Sequence, residues 1–154
     1  MTDLNRNVAK CFSERYEELG RLVLQMAEPL SDEQFWSKPF AFGNSFGHLV
    51  LHLTGNLNYY IGAEIAKSGY VRDRPREFSE TARPAKQQVL QRFDEAVKMV
   101  ATTIRAQRDE DWNLAYSAMG EDDAGTRFNA VLRCATHLHH HVGQMMYLTK
   151  QLST

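Results

Sequence analysis

The spacing of the apolar residues is the feature that most limits how this chain can fold. Four long stretches repeat apolar side chains every three or four positions, which is the period of an amphipathic α-helix. No stretch alternates apolar and polar residues between hairpin turns, as a strand would. The sequence therefore predicts an all-α protein whose four helices, of about 20 residues each, form a four-helix bundle. The first stretch shows the pattern in Val8, Phe12, Tyr16, Leu19, Leu22, Val23 and Met26.

Capping residues predict the limits of the first two helices. The first helix should end before Pro29, and Ser31 with Gln34 has the pattern of a capping box for a short helical turn. Ser45 is a good N-cap for the second helix, which we expect to continue to about Lys67. Between these helices, three aromatic side chains are expected to close over one end of the core: Phe35, Trp36 and Phe40.

The second half of the chain contains the other two helices. The third should open near Thr81 to Pro84, because proline suits a first helical turn. Thr126 can cap the fourth helix, which we expect to run to about Leu152. Before the third helix, a charged segment carries three arginines interleaved with two carboxylates, and we expect a solvated or salt-bridged connection there: Arg72, Asp73, Arg74, Arg76 and Glu77.

Length and charge set further limits. The 154 residues suit one domain, 1–154, with a core of ordinary size. Eighteen basic and nineteen acidic residues give a net charge of -1, so we expect no nucleic-acid partner. No apolar run approaches the roughly 20 residues of a membrane span, and the N-terminus lacks the pattern of a signal peptide. Cys11 and Cys134 lie among apolar residues, so we expect both to fill the core in a reducing cytoplasm, with a disulfide or a reactive thiol as the alternatives.

The histidines are clustered in two short segments. His48 and His52 belong to the second helix, and the fourth helix carries His137, His139, His140 and His141. His48 and His52 are four residues apart, and so are His137 and His141, which places each pair on one helical face. Two imidazoles on one face and a third from a facing helix could hold one metal ion with an open coordination position.

The spacing alone leaves alternatives open. His48 could be a ligand, a hydrogen-bonding neighbour of a ligand, or an exposed side chain, while His139 should point to solvent. Four further side chains are polar neighbours that could orient the ligands or contact a substrate: Asn56, Tyr59, His140 and Gln144. Glycines inside helices are costly, so Gly47, Gly55 and Gly143 suggest close helix approach. A helical interaction protein with a polar core and no metal is a further reading.

Three segments resemble the DinB-like superfamily, also called the YfiT-like fold: GNSFGHLVLHLTGNLNYYI, VRDRPREF and HLHHHVGQMMYL. The resemblance covers nearly the whole chain, and its most specific part is the pattern from His137 to Gln144. In that family one ligand comes from the second helix and two come from the late motif. The resemblance thus implies His52, His137 and His141 as metal ligands, and it favours His52 over His48.

The resemblance also implies an up-down-down-up topology with a long crossover, a homodimer, and a nickel or zinc ion. Some relatives are transferases or isomerases that use low-molecular-weight thiols such as bacillithiol, mycothiol or glutathione, and others are annotated hydrolases. One departure is Val142, which stands where the late motif often has arginine. A basic group beside the site is therefore expected to be missing.

An open three-histidine site suits two kinds of chemistry. A metal can activate water for hydrolysis, or it can bind a thiolate and direct it at an electrophile. No carboxylate lies one turn from the histidines on either helix, and Glu64 is off the His52 face. The missing general base favours a thiol S-transferase over a metal-dependent hydrolase. A non-catalytic metal-binding or stress-related helical protein stays open, and it would suit a fourth protein ligand such as His48.

Overall fold

The structure is a computed structural model that describes residues 2–153. Helices make up most of that range, which confirms the all-α prediction. Four helices are long: α1 (Asp3–Ala27), α3 (Phe46–Leu57), α5 (Lys86–Arg105) and α6 (Arg127–Leu152). Two are short: α2 (Asp32–Trp36) and α4 (Arg74–Ser79). A 3₁₀ turn, Asp111–Asn113, and two antiparallel strands, β1 (Ala115–Tyr116) and β2 (Gly125–Thr126), precede α6.

The four long helices enclose a common apolar core. Helix α1 packs against α5 and α6, and α3 also packs against α5 and α6. Tyr16 is fully buried, and its hydroxyl donates a hydrogen bond of 2.7 Å to the carbonyl of Val131, which ties α1 to α6. The up-down-down-up topology and the single-domain organisation stay predictions. No helix within residues 2–153 is long and apolar enough to cross a membrane.

The capping predictions are confirmed at three helix starts. Ser31 and Gln34 form both hydrogen bonds of a capping box. The side chains of Ser45 and Thr126 accept hydrogen bonds from the backbone N–H groups three residues ahead, at the starts of α3 and α6. Each of these bonds satisfies a backbone donor that the helix itself leaves unpaired.

Two predicted helix boundaries are wrong. The α-helical part of α3 ends at Leu57, and a π-helical segment, Asn58–Ala63, follows it. Helix α5 starts at Lys86, because the chain before it passes through Arg83 with a φ of 47°. Helix α4 begins inside the charged segment and was not predicted from the sequence. Asp73 caps α4, and Pro75 lies in its first turn, where the missing N–H costs no helical hydrogen bond.

The predictions for aromatic residues and cysteines hold in part. Phe35 and Trp36 are buried as expected, but Phe40 is 36% exposed and stacks on exposed Phe42. Cys134 is buried, and burial raises the pKa of its thiol to about 12. Cys11 is exposed, so the expectation that it fills the core is wrong. The apolar stripe of α1 is wide enough that a residue at its edge faces solvent.

Candidate metal centre

Three imidazoles from α3 and α6 meet at one point. His52 lies on α3, while His137 and His141 lie one turn apart on α6. One ring nitrogen from each of the three residues lies within 4.8 Å of the other two. His52 Nε2 is 2.9 Å from His137 Nε2. Metal–nitrogen bonds of about 2.0–2.1 Å in a tetrahedral site place the ligand nitrogens about 3.3 Å apart, so three histidines in this arrangement could hold a metal ion.

A carboxylate fixes the orientation of His52. Glu77 Oε2 lies 2.8 Å from His52 Nδ1, and both side chains are buried. Because a carboxylate only accepts hydrogen bonds, His52 Nδ1 carries the proton and donates. The lone pair of His52 is therefore on Nε2, the atom that faces His137. Metal-ligating histidines commonly have such a partner on the other ring nitrogen, since it fixes the tautomer and the ring orientation.

Arg72 neutralises this buried carboxylate. Its Nε and Nη2 donate to the two oxygens of Glu77 over 2.7 Å and 2.9 Å, a bidentate pair whose side chains are 8% and 7% exposed. Burial raises the pKa of Glu77, but the hydrogen bonds from His52 and Arg72 outweigh it, and the pKa lies below its usual value. Glu77 is thus a stable anion at neutral pH.

Glu77 is a carboxylate beside the histidines that the sequence pattern did not predict. No carboxylate lies one turn from the histidines on their own two helices, whereas Glu77 comes from α4, 25 residues beyond His52. Of the two alternatives that we expected for the charged segment, the salt-bridged one is confirmed at Arg72 and Glu77, and this pair is buried. Gly55 was the available signal: a Cβ there would lie 2.0 Å from Glu77 Oε1, so only glycine on α3 leaves room for the carboxylate.

The sequence also singled out Gly47 and Gly143, and these two glycines differ from each other. A Cβ on Gly47 would lie 2.7–2.8 Å from the rings of Trp36 and Phe35, so close approach explains this glycine as it explains Gly55. A Cβ on Gly143 would meet nothing within 4 Å, so the packing explanation is wrong there.

His141 has its own hydrogen-bonding neighbour. Its Nδ1 lies 2.7 Å from Gln144 Oε1, and Gln144 Nε2 lies 3.3 Å from His140 Nε2. An amide oxygen accepts, so His141 Nδ1 donates and its Nε2 carries the lone pair that could bind a metal. His140 is an exposed neighbour of this pair, and His139 is exposed, as the helical spacing indicated.

His48 belongs to a different part of the protein. It is 6% exposed, its Nδ1 lies 2.6 Å from Ser45 Oγ, and its Nε2 lies 3.0 Å from the carbonyl oxygen of Glu80. The edge of its ring faces Trp36. Both ring nitrogens are occupied, and His48 is outside the three-histidine cluster. Its position therefore does not support a role as a metal ligand or as a hydrogen-bonding neighbour of one. Instead, His48 holds the segment after α4 against α3.

The electrostatics favour neutral imidazoles on α6. Burial, followed by the nearby His141 and His52, lowers the pKa of His137 to about 3. Burial also lowers the pKa of His141, although the hydrogen bond with Gln144 partly opposes it. Both side chains are therefore unprotonated at neutral pH, which is the form that binds a metal.

A cleft of about 640 Å³ lies beside His52 and His137. Asn56, one turn beyond His52, lines it and is 6% exposed, yet its buried Oδ1 has no hydrogen-bond partner. The expected lack of a basic group near the site is wrong, because three arginines line the cleft: Arg72 and Arg74 from the charged segment and Arg133 from α6 itself.

The π-helical segment shapes the far wall of this cleft. Tyr59 Oη accepts a hydrogen bond of 3.3 Å from the N–H of Met119, and Tyr60 Oη donates one of 3.0 Å to the carbonyl of the same residue. Consecutive tyrosines thus hold one loop residue from both sides. Tyr59 lines the cleft where we expected a substrate contact, and its hydroxyl oxygen accepts from the loop, which leaves the O–H group able to donate. π-helical turns occur frequently at functional sites.

Comparison with known proteins identifies a family but no activity. No curated protein and no solved structure matches the chain significantly. The sequence profile of DUF1572, described as a protein of unknown function, matches residues 3–154. The match spans all six helices and the three clustered histidines. The chain therefore belongs to the DUF1572 family.

Proposed function

We propose that this protein is a metal-dependent enzyme of the DinB-like kind, with a four-helix-bundle topology and one divalent ion held by His52, His137 and His141. The observation that carries the proposal is the cluster itself, in which one nitrogen of each imidazole lies within 4.8 Å of the others. Nickel or zinc suits this ligand set, since both bind imidazole nitrogen well.

An open coordination position is the catalytic form of such a site. His48 is the fourth ligand that the sequence offered, and its ring nitrogens are held by Ser45 and the Glu80 carbonyl. The cleft beside His52 and His137 gives a small molecule access to the side of the cluster. These two features favour an enzyme over a purely structural metal site.

The reaction that fits best joins the sulfur of a low-molecular-weight thiol to an electrophilic carbon. The thiol proton passes to the departing group or, in an addition to an activated double bond, to the neighbouring carbon. A divalent ion in this site would lower the pKa of a bound thiol or water. Glu77 contacts His52 on Nδ1, the ring atom away from the cluster, so it orients the imidazole and is badly placed to take a proton from water. Glu121, the carboxylate on the cleft wall, is paired with Arg133. A thiol needs no such base because it ionises more readily than water.

Metal analysis of protein purified without a histidine tag tests the binding site. We expect about one ion per chain in the wild type and less than about 0.3 after His52→Ala, His137→Ala or His141→Ala, because each removes one of three ligands. His139→Ala is the matched control, since this exposed histidine is on the same helix. If the wild type contains less than about 0.3 metal ion per chain and the three substitutions do not change this value, the proposal is contradicted.

The thiol reaction is tested on the metal-loaded protein with bacillithiol, mycothiol or glutathione and an electrophile. We expect thiol consumption that His52→Ala abolishes. The alternative functions give other results: ester or amide hydrolysis without thiol consumption identifies a hydrolase, and a bound metal without any turnover identifies a non-catalytic metal-binding protein. A homodimer and a cytoplasmic location stay predictions, and light scattering of the purified protein tests the first.

A further inference from the structure

The cleft beside the histidines has two polar groups that the proposed metal site does not use. One is Asn56, whose Oδ1 is buried without a partner. The other is Arg74, which has no carboxylate within ion-pair distance among residues 2–153. An acceptor left unpaired in a buried position costs about 1–3 kcal/mol unless something binds it, so Asn56 points to a ligand with a donor group.

The charges on the cleft wall single out Arg74. Three arginines line the cleft, but Arg72 is neutralised by Glu77, and Arg133 pairs with Glu121 at 2.8 Å and Asp123 at 2.6 Å. Arg74 is exposed and retains an uncompensated positive charge. A guanidinium binds carboxylates in a bidentate manner, so this group favours an anionic ligand.

Ring stacking holds Arg74 close to the histidines. Its guanidinium carbon lies 5.6 Å from the centre of the Phe78 ring, and that ring lies 4.8 Å from the ring of His52. Phe78 thus sits between the cation and the metal-binding imidazole. A ligand of a few atoms could place one group at the cluster and another at Arg74, with Asn56 one helical turn from His52 on the same cleft wall.

We infer that the cleft takes a small carboxylate-bearing molecule with an N–H or O–H donor, the carboxylate binding Arg74 and the donor binding Asn56 Oδ1. This inference rests on the proposed function, because it names the substrate class of the same site. The carboxylate belongs either to the thiol or to the electrophile that the thiol attacks. Arg74 and Asn56 are positioning residues in both cases.

Binding of matched probes to the metal-loaded protein, measured by titration calorimetry, tests the inference. N-acetylcysteine has a carboxylate and an N–H donor, N-acetylcysteinamide lacks the charge, and 3-mercaptopropionate lacks the N–H. We expect Arg74→Gln to lower the affinity for N-acetylcysteine about tenfold and to leave the affinity for N-acetylcysteinamide within about twofold of the wild-type value. Arg21→Gln, a change of an exposed arginine on α1, should alter neither. Asn56→Ala should weaken N-acetylcysteine about fivefold and spare 3-mercaptopropionate.

A second arm uses 4-hydroxycrotonate and 4-hydroxycrotonamide, in which the carboxylate and an O–H donor belong to an electrophile. If Arg74→Gln removes a preference for the acid only in this second arm, the carboxylate belongs to the electrophile. No preference for the acid in either arm overturns the inference, as does an Asn56→Ala variant that binds every probe like the wild type. Metal content is measured on the same samples. Wild-type protein without metal overturns the proposed function and this inference together, whereas loaded protein without a carboxylate preference overturns the inference alone.

Discussion

His52 Nδ1 donates a hydrogen bond of 2.8 Å to Glu77 Oε2, which joins the proposed metal ligand on α3 to a carboxylate on α4. The same carboxylate accepts two hydrogen bonds from Arg72. His52 is therefore oriented by a buried anion that has its own buried counter-charge. This arrangement makes the short helix α4 part of the site and gives the first prediction.

Glu77→Gln should weaken metal binding about 10- to 100-fold, because the amide orients His52 less strongly than the carboxylate does. Competition with a chelator of known affinity measures this loss. Glu33→Gln, which changes an exposed glutamate on α2, is the control. Unchanged affinity in Glu77→Gln would show that Glu77 has no part in metal binding.

Glu77→Gln should also lower the free energy of unfolding by about 3–5 kcal/mol, because Arg72 loses its buried partner. The double variant Arg72→Gln/Glu77→Gln separates the two effects. Removing both charges should recover part of the stability in urea unfolding while metal affinity stays low. Recovery of full affinity in the double variant would mean that Glu77→Gln acted only through folding.

Gly55→Ala should reduce both stability and metal affinity, since the new Cβ would lie 2.0 Å from Glu77 Oε1 and must displace α4. Overpacking of this kind costs about 1–3 kcal/mol, measured by urea unfolding. Gly143→Ala is the matched control on α6, where a Cβ meets nothing within 4 Å. There, helix propensity alone should raise stability by up to about 1 kcal/mol. Equal effects at the two positions would contradict the packing explanation.

His48→Ala should leave the metal content unchanged while lowering stability by about 1–3 kcal/mol, because Ser45 and the Glu80 carbonyl lose their buried partner. The two readouts are metal analysis and urea unfolding. Loss of metal in this variant would mean that His48 is a fourth ligand.

The pH dependence of the same variant gives an independent check. Burial, and then the positive charges of Lys38 and Arg83, lower the pKa of His48, although the Glu80 carbonyl opposes this. In the unfolded chain this histidine takes up a proton near pH 6.5, whereas in the folded protein it does so only at a lower pH. The free energy of unfolding therefore falls as the pH drops from about 6.5 toward the folded-state pKa. The metal-free wild type should therefore lose more stability between about pH 7.5 and 5 than His48→Ala does. Parallel curves would contradict this prediction.

Tyr59→Phe/Tyr60→Phe should loosen the loop on the cleft wall, because Met119 loses hydrogen bonds to both its N–H and its carbonyl. Hydrogen exchange should speed up about tenfold or more at the Met119 amide. Tyr147→Phe is the control, since Tyr147 is 73% exposed on α6. An unchanged exchange rate at Met119 would show that the two hydroxyls do not hold the loop.

Local sequence patterns accounted for much of the fold. Ser31, Ser45 and Thr126 act through hydrogen bonds three residues away, so their capping roles follow from neighbouring sequence. The helical period likewise placed His137 and His141 on one face of α6. The same patterns could not predict helix α4, because it is only six residues long and has no repeating apolar stripe. The π-helical turn also has no such periodic signal.

The sequence by itself determined that the chain is helical and that two helices carry closely spaced histidines, since both depend on contacts within a few residues. Choosing His52 over His48 as the ligand needed a family resemblance. In the structure the two histidines have separate surroundings, because each contacts a different residue of the segment after Gly69. His52 contacts the Glu77 carboxylate, and His48 contacts the Glu80 carbonyl. Only the tertiary structure decided this. Hydrogen bonds between residues 25 and 32 positions apart depend on how α4 packs across α3, and neither residue's neighbours in sequence record that packing.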